Sequence, residues 1–506
     1  MASGSGPAID EDFLALPLRR LADAALQRAR ELGATHAEFR VERDRRQRLG
    51  LRDGQVDTSG DDTGLGLCLR VVHDGAWGFA ADVDLDAGTA ASLADRAVEL
   101  ARISRPLATE RVELAGEPVY GDVTWASAHD VDPFAVPAAE KAALLTERSE
   151  RLLAHPAVHH VDAHFLAAKE TKFYADLAGT VTTQQRVRVA PEITVVNVDA
   201  ESGRFEDMRT LAPPAGRGWE YLTGTGWDWD AELAELPELL LERTKAPSVE
   251  AGRCDLVVDP SNLWLTIHES IGHGTELDRA LGYEAAYAGT TFATFDGLGT
   301  RRYGSPVMNV TGDRVVEHGL ATTGYDDEGV ATTRWDIVSE GVHTGYQLDR
   351  RMAALKGFGR SNGCAYASAA TFAPIQRMAN VSLQPAPDGP STEELIAGVR
   401  RGLLVVGDKS WSIDMQRYNF QFTGQRGYAI RDGRLAGQVR DFAYQSRTPD
   451  FWASMEAVGG PATYVLGGSF MCGKGQPGQV APVSHGCPSA LFRSVNVLST
   501  RTEEDA

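Results

Sequence analysis

Cysteine and long hydrophobic runs are scarce in this sequence, and each shortage excludes a class of protein. The 506 residues include five cysteines, scattered and odd in number, which excludes a disulfide framework and favours a reducing compartment. No apolar run reaches the length of about 20 residues that a membrane-spanning helix needs. Residues 1–7 have neither the basic nor the apolar part of a secretion signal. We therefore expect a cytoplasmic protein with no membrane partner.

Positive charge is also in short supply. Lysine and arginine number 50 against 70 aspartates and glutamates, which gives a formal net charge of −20. This excess of negative charge argues against nucleic acid as a partner. It is compatible with a neutral or basic peptide. The length and the 43% of apolar residues are those of a soluble protein with two or three folded domains.

Residues 1–247 are predicted to form an α+β domain. Apolar residues recur at helical spacing over 12–33 and near 86–104, and alternating strands lie between them. Two of these strands flank Asp74-Gly75, which is a strong hairpin signal. The unit therefore has an α-β-β-β-α layout. Further helices and strands are predicted near 137–154, 157–211 and 230–244.

Residues 248–506 are predicted to form a second, mostly-β domain with a barrel-like or sandwich-like fold. Residues 255–260 form a short apolar strand that leads into a helix, for which Ser261-Asn262 is the predicted N-cap. The remainder is rich in turns and short strands, with one helical segment at 391–402. The fold class is therefore α+β, and the helix after residue 260 carries the most informative motif.

That motif is H-E-x-x-x-H, formed by His268, Glu269 and His273. Two imidazoles suit a divalent metal, and the glutamate between them suits a general base that takes a proton from an attacking water. On a helix, residues four apart lie roughly 40° apart, whereas residues five apart lie roughly 140° apart. The helix must therefore bulge or end before His273, and we expect Gly272 and Gly274 to supply the conformational freedom. A chance pair of histidines, one buried and one exposed, is the structural alternative.

A catalytic zinc site takes three protein ligands and a water, so a third ligand is needed. Cys472 is favoured by its glycine-rich loop and by Lys474, which we expect to lower the pKa of the thiol. His485 and Cys487 are either ligands or a pair behind the ligands. The other candidates are Glu276, Asp278, Glu284, His318, His343 and the acidic run 326–329.

The sequence resembles the TldD/PmbA family of metalloproteases, specifically its TldD side. The H-E-x-x-x-H motif is followed by Gly274 and an acidic stretch, and Met471-Cys472-Gly473-Lys474 closes the match. The matching blocks keep their order from about 253 to 480. The blocks between the two ends are 326–329, 357–360, 374–380, and Asp414 to Phe420 with Tyr428.

The resemblance implies a function and a ligand set. It implies that His268, His273 and Cys472 bind Zn²⁺ and that Glu269 is the general base. It further implies proteolysis of short or unfolded peptides, leader peptides among them, by a dimer of this chain with a TldE/PmbA-like partner or with itself. We assign enclosure of the substrate or dimerisation to residues 1–247 and catalysis to residues 248–506.

Three points remain open at this stage. Tyr428, Arg360 and Lys474 are candidates for contacting the substrate or its oxyanion. A non-catalytic assembly or chaperone-like subunit of a peptidase complex is one alternative function. A metal-dependent amide hydrolase acting on small molecules is the other.

Overall fold

The structure, a computed structural model, describes residues 8–198, 205–475 and 478–501. Residues 1–7, on which the absence of a secretion signal was judged, and residues 199–204 of the predicted strand region lie outside the described residues.

The first half of the chain builds one seven-stranded sheet with helices packed on it. Its strand order is β3-β2-β1-β5-β6-β4, and β7 pairs with β6. Neighbouring strands are antiparallel except β4 and β6. The elements are α1 (Glu11–Leu14), α2 (Leu18–Glu31), β1 (His36–Arg52), β2 (Gln55–His73), β3 (Ala76–Asp82), α3 (Ala87–Ser104), β4 (Asp122–Ala126), α4 (Ala138–Leu153), β5 (His160–Asp176), β6 (Val181–Val198), β7 (Phe205–Arg209) and α5 (Trp229–Lys245).

Local sequence signals account for much of this sheet. Asp74 and Gly75 both have positive φ angles, of 48° and 72°, as a two-residue hairpin turn between β2 and β3 requires. Helix α3 packs so closely on β3 that a Cβ at Gly78 would lie 1.8 Å from the backbone oxygen of Ala97. The predicted α-β-β-β-α layout is confirmed, except that Pro17 separates the first helix into α1 and α2.

The second half of the chain is mostly β, as predicted. Short helices α7, α8 and α10 were not expected, and α9 is shorter than the predicted segment 391–402. The elements are β8 (Gly252–Val258), α6 (Pro260–Ile267), α7 (Leu277–Ala280), β9 (Val310–Asp313), β10 (Arg334–Ser339), β11 (Val342–His343), α8 (Arg350–Leu355), β12 (Ala365–Tyr366), β13 (Ile375–Gln376), β14 (Asn380–Leu383), α9 (Thr392–Ala397), β15 (Arg401–Ile413), β16 (Asn419–Arg431), β17 (Arg434–Val439), β18 (Phe442–Arg447), α10 (Thr448–Ala453), β19 (Met455–Val458), β20 (Val465–Lys474), β21 (Gln479–Cys487) and β22 (Ala490–Ser499).

Five of these strands close on themselves. The order runs β15-β8-β22-β18-β16, and β16 pairs back with β15, so the sheet forms a small barrel. Its interior continues into a core that contains Leu256, Phe422, Tyr444 and Phe492. Helix α6 leaves the barrel directly after β8, which fixes the position of the motif that follows. The barrel-like prediction is therefore confirmed.

Two smaller sheets complete the region around α6. Strands β11, β10, β9 and β14 form one, and β20 pairs with β21 in a two-stranded sheet. Both β20 and β21 contact α6. Among the described residues, no strand before residue 210 shares a sheet with a strand after residue 251. The division of the chain into domains at residues 247 and 248 stays a prediction.

No helix among the described residues combines the length and the apolar character needed to cross a membrane.

Candidate metal centre

Helix α6 changes its winding where the motif begins. Asp259 is the N-cap, because its side chain accepts a hydrogen bond from the backbone N–H of Ser261 at 2.9 Å. This corrects the prediction that Ser261-Asn262 caps the helix. After Ile267 the chain makes one π-helical turn over His268–Gly272, followed by a 3₁₀ turn over His273–Thr275.

The π-helical turn solves the geometric problem of the five-residue spacing. The backbone N–H of His273 donates to the carbonyl of His268, so residues five apart lie one above the other. The two imidazole rings are 4.7 Å apart between centroids. The predicted bulge is therefore present, although Gly272 has an ordinary helical φ of −51°. Gly272 is needed for space instead, because a Cβ there would lie 2.6 Å from the sulfur of Met378.

Three potential metal donors converge at this turn. One donor atom from each of His268, His273 and Cys472 lies within 4.8 Å of the others, and all three residues are buried. The Cys472 sulfur is 3.7 Å from Nε2 of His273. Cys472 reaches the histidines from β20, which packs beside α6.

Hydrogen bonds behind His268 fix which of its nitrogens is free. Nδ1 of His485 lies 2.8 Å from the carbonyl oxygen of Val381, so it carries a proton and donates. Nε2 of His485 must then accept, and its partner is Nδ1 of His268 at 2.7 Å. The lone pair on Nε2 of His268 is left for a metal. Orienting contacts of this kind are typical of metal-binding histidines.

A carboxylate performs the same task for His273. Nδ1 of His273 donates to Glu276 at 3.0 Å. The other oxygen of Glu276 accepts from the buried ammonium group of Lys474 at 2.9 Å, and Lys474 also donates to Asp278 at 2.8 Å. Strand β20 therefore carries both Cys472 and the cation that holds the partner of His273.

Burial sets the protonation of these groups. It lowers the pKa of His268 well below its ordinary value, and it lowers the pKa of His273 to about 3. Both imidazoles are therefore neutral at pH 7. Burial raises the pKa of Cys472 to about 11, against the weaker opposing effects of Arg377 and Lys474. Lys474 does lower the pKa of the thiol, as expected, but the effect of burial is larger.

The donor set fits zinc by its chemistry. Two neutral imidazoles and one thiolate are ligands that zinc binds in catalytic sites, with a fourth position left for water or substrate. Both histidines have their second nitrogen occupied, as such ligands require. A bound cation would also favour the thiolate form of Cys472 over the thiol.

Glu269 lies beside the donors and forms an ion pair with Arg417. Burial raises the pKa of Glu269, whereas the charges of Arg417 and Arg279 act in the opposite direction. Arg417 lies on the turn between β15 and β16. No sequence pattern singled out Arg417, although it falls inside the 414–420 block of the family resemblance.

The donors and Glu269 line the wall of a cleft of about 1090 Å³. The first sheet contributes residues from β5, β6 and β7 and the chain that follows β7, and the second half contributes α6, β15 and β20. Along β20, residues 467–473 face the cleft. Among the described strands, β20 pairs with β21 alone. The site therefore opens onto a space large enough for a segment of polypeptide.

The structure places the weaker candidates elsewhere. Tyr428, Arg360 and Lys474 are not among the described residues that line this cleft. Arg360 pairs with Glu117, and the Tyr428 side chain packs beside the cluster around Ile430. Lys474 is held behind His273, as described above.

Most of the remaining candidates for a third ligand are engaged apart from the donors. Cys487 contacts the carbonyl of Pro260 at 3.6 Å, His318 that of Gly216 and His343 that of Gly345. In the acidic run, Glu328 pairs with Arg70 and Asp327 with Lys172. The candidates that lie next to the site in sequence surround Lys474; they are Glu276, Asp278 and Glu284.

Comparison with known proteins gives consistent matches. The PmbA/TldA metallopeptidase C-terminal domain matches residues 251–499, and domain 1 of the same family matches residues 37–101. A metalloprotease of Methanothermobacter thermautotrophicus is 25% identical over 97% of this chain and 100% of its own length. The zinc metalloprotease TldD homolog of Saccharolobus solfataricus is 24% identical over 54% of this chain and 57% of its own.

A solved structure agrees in fold. The crystal structure of TldE from Thermococcus kodakarensis covers 94% of this chain and 99% of its own, with a TM-score of 0.70 and 15% identity. The two family matches together span well over half of the sequence, and the similarity to the archaeal metalloprotease runs along nearly all of it. This chain belongs to the PmbA/TldD metalloprotease family.

Proposed function

We propose that this protein is a zinc-dependent peptidase, the TldD-type catalytic subunit of its family, that cleaves short or unfolded peptides. The observation that carries the proposal is the convergence of His268, His273 and Cys472 beside Glu269 on the wall of a large cleft. Family membership supports a metal-dependent peptidase in general. The finer assignment rests on the donor geometry.

Nε2 of His268, Nε2 of His273 and the sulfur of Cys472 would hold the ion. Zinc held there supplies Lewis acidity, lowering the pKa of a coordinated water to about 7 and polarising a peptide carbonyl. His485 and Glu276 keep the two imidazoles in the required tautomer and orientation. These hydrogen bonds hold the two imidazoles in position before an ion binds.

Glu269 acts as the general base. It takes a proton from the attacking water while the water oxygen bonds to the carbonyl carbon of the peptide. It then passes that proton to the nitrogen of the leaving amine as the C–N bond breaks. Burial of Glu269 supports this role, because it raises the pKa of the carboxyl towards the range in which a base works at neutral pH.

The substrate is proposed to lie extended along β20. Among the described strands β20 pairs with β21 alone, and its residues 467–473, Cys472 among them, line the cleft. A peptide that adds as a strand is recognised through its backbone, which fixes its register with little demand on side chains. This favours unfolded or short peptides over folded proteins.

A second subunit is proposed to cover the cleft, either a TldE/PmbA-like partner or a second copy of this chain. Trp411 and Met471 support this, because they line the cleft and are 55% and 61% exposed. Residues 1–247 would enclose the substrate from the other side. We place the protein in the cytoplasm, where its five unpaired cysteines remain reduced.

The first test is the metal content of the purified protein. We expect about one zinc per chain in the wild type and loss of zinc in Cys472→Ala and His268→Ala. Cys487→Ala is the matched control, since it removes a buried cysteine outside the donor cluster. Full zinc in Cys472→Ala together with loss in Cys487→Ala would move the third ligand to Cys487.

The second test is turnover on a panel of unfolded peptides and small amides. Glu269→Gln should keep its zinc and lose peptide cleavage. Cleavage of small amides alone would make the protein a small-molecule hydrolase. Absence of zinc and of turnover, with and without a TldE-like partner, would make it a non-catalytic assembly subunit.

A further inference from the structure

The side chain of Arg417 is directed at the reacting groups. Its guanidinium contacts a carboxylate oxygen of Glu269, and the residue lines the cleft. Its Nε is buried and has no hydrogen-bond partner in the described structure. The guanidinium group can therefore still donate a hydrogen bond to a second acceptor, which a substrate would supply.

The turn that carries Arg417 is held rigidly. Asp414 accepts hydrogen bonds from the backbone N–H groups of Gln416, Tyr418 and Asn419 at 2.8–3.1 Å. The hydroxyl of Thr448 donates to the Arg417 carbonyl at 2.7 Å. Arg417 itself has a φ of 57°, a conformation that costs free energy for residues other than glycine and clusters at functional sites.

Other cations around the cleft are already committed. Arg209 pairs with Asp408 at 2.7 Å. Arg377 donates to the backbone carbonyls of Cys472 and Gln479. Arg417 is thus the cation whose partner is the proposed base itself.

We propose that Arg417 is a catalytic residue that moves from Glu269 to the oxyanion of the reacting peptide. The inference rests on the proposed peptidase function. When the water oxygen bonds to the carbonyl carbon, the π electron pair of the C=O bond moves onto its oxygen, and the proton of the water moves to Glu269. Negative charge therefore leaves Glu269 as it appears on the substrate oxygen. Arg417 keeps one anionic partner throughout, so no buried charge is left uncompensated.

Movement of Arg417 from Glu269 to the oxyanion predicts a specific change in the kinetics of peptide cleavage. Arg417→Met should lower kcat by about 10²- to 10³-fold, the effect of losing one oxyanion donor, with KM for peptides little changed. Arg417→Lys should recover part of the loss, because it retains the charge. Zinc content and thermal stability are measured for each variant to show that the site and fold are intact. Arg360→Met is the control, since Arg360 pairs with Glu117 away from the cleft.

The deciding measurement uses a phosphinic peptide, whose tetrahedral phosphinate mimics the oxyanion, in the Glu269→Gln background. If Arg417 contacts the oxyanion, Arg417→Met weakens binding of the phosphinic peptide at least tenfold even there, while binding of a product peptide is unchanged. Unchanged affinity for the phosphinic peptide would show that Arg417 acts only through Glu269 and would overturn the proposal. A rise in KM confined to peptides with a free C-terminal carboxylate would also overturn it, since Arg417 would then be a carboxylate anchor.

The two proposals fail in different ways. Absence of zinc and turnover in the wild type refutes the peptidase function and the role of Arg417 with it. Normal wild-type turnover with full zinc, combined with unchanged affinity of Arg417→Met for the phosphinic peptide, refutes the role of Arg417 alone.

Discussion

At the scale of single residues, we expect the groups behind the donor atoms to govern how strongly the cluster would hold a cation. Nε2 of His485 accepts a hydrogen bond from Nδ1 of His268, and Nδ1 of His485 donates one to the carbonyl oxygen of Val381. Removing His485 leaves His268 free to rotate and leaves a buried N–H group without a partner. Its contribution is therefore measurable separately from that of the ligands.

We predict that His485→Phe weakens zinc binding by about 10- to 100-fold while the zinc site persists. The measurement is a competition titration against a chelator of known affinity. His343→Phe is the control, because His343 is also a buried imidazole with a lowered pKa but bonds to Gly345 outside the cluster. Equal affinities in wild type and His485→Phe would contradict the orienting role.

The pKa values of the donors predict how metal affinity changes with pH. The pKa of His273 is lowered to about 3 and that of Cys472 is raised to about 11. Between pH 6 and pH 9 the imidazoles are already neutral, and the thiol alone must lose a proton when metal binds. Apparent affinity should therefore rise by about tenfold for each pH unit. Chelator competition at several pH values measures this slope, and a slope near zero would show that Cys472 is not a ligand.

At the scale of secondary structure, the π-helical turn is held by close packing rather than by glycine flexibility. A Cβ at position 272 would lie 2.6 Å from the Met378 sulfur and 3.5 Å from Cε1 of His485. The turn is thus pressed against β14 and its neighbour β21. A Cβ at position 272 must therefore displace the Met378 side chain, and it would also touch His485, which orients His268.

We predict that Gly272→Ala lowers the free energy of unfolding by about 1–3 kcal/mol, the usual cost of overpacking a buried site, and also weakens zinc binding. Denaturant unfolding and metal titration are the measurements. Gly64→Ala is the control, because a Cβ there meets nothing within 4 Å. In the double variant with Met378→Ala the losses should be less than additive, since the clash is removed. Additive losses would argue against this contact.

Local sequence patterns predicted those features that depend only on residues close together in the chain. The Asp74-Gly75 turn, the α-β-β-β-α layout and the bulge before His273 all follow from neighbouring residues. A barrel-like domain and a place for His485 behind the ligands were among the predictions. The strand pairings that close the barrel, and the choice of His268 as the partner of His485, could not be predicted, because they join segments far apart in the chain. Arg417 was missed for the same reason: its importance comes from its contact with Glu269, which lies 148 residues earlier in the chain.

At the scale of the whole molecule, buried ion pairs join the first sheet to the second half of the chain. Lys172 on β5 donates to Asp327 at 2.7 Å and contacts Glu170 at 2.9 Å, and these side chains are at most 8% exposed. Burial raises the pKa of Asp327, but the charges of Lys172 and Arg40 outweigh that effect and hold the pKa below its ordinary value. The two halves of the chain, which form the walls of the cleft, are therefore linked by buried charges. Each of these charges is stabilised by its oppositely charged partner.

We predict that Lys172→Met lowers the free energy of unfolding by about 3–5 kcal/mol, because it leaves buried carboxylates without their cation. Lys409→Met is the matched control. Lys409 pairs with Asp207 at 2.9 Å and also joins the two halves, but these side chains are 36% and 40% exposed. Its loss should cost about 0–1 kcal/mol. Similar losses in both variants, measured by denaturant unfolding, would contradict this account.

The hairpin of β20 and β21 has a consequence for biosynthesis. It supplies Cys472, Lys474 and His485, whereas the histidine motif is made some 200 residues earlier. A nascent chain that has not yet extended beyond Cys472 therefore lacks the third donor, however well its earlier parts have folded. Synthesis from the N-terminus thus delays completion of the donor cluster until this hairpin has been made. Until then, the unfolded segments of the growing polypeptide, which resemble the proposed substrates, meet only an incomplete donor cluster.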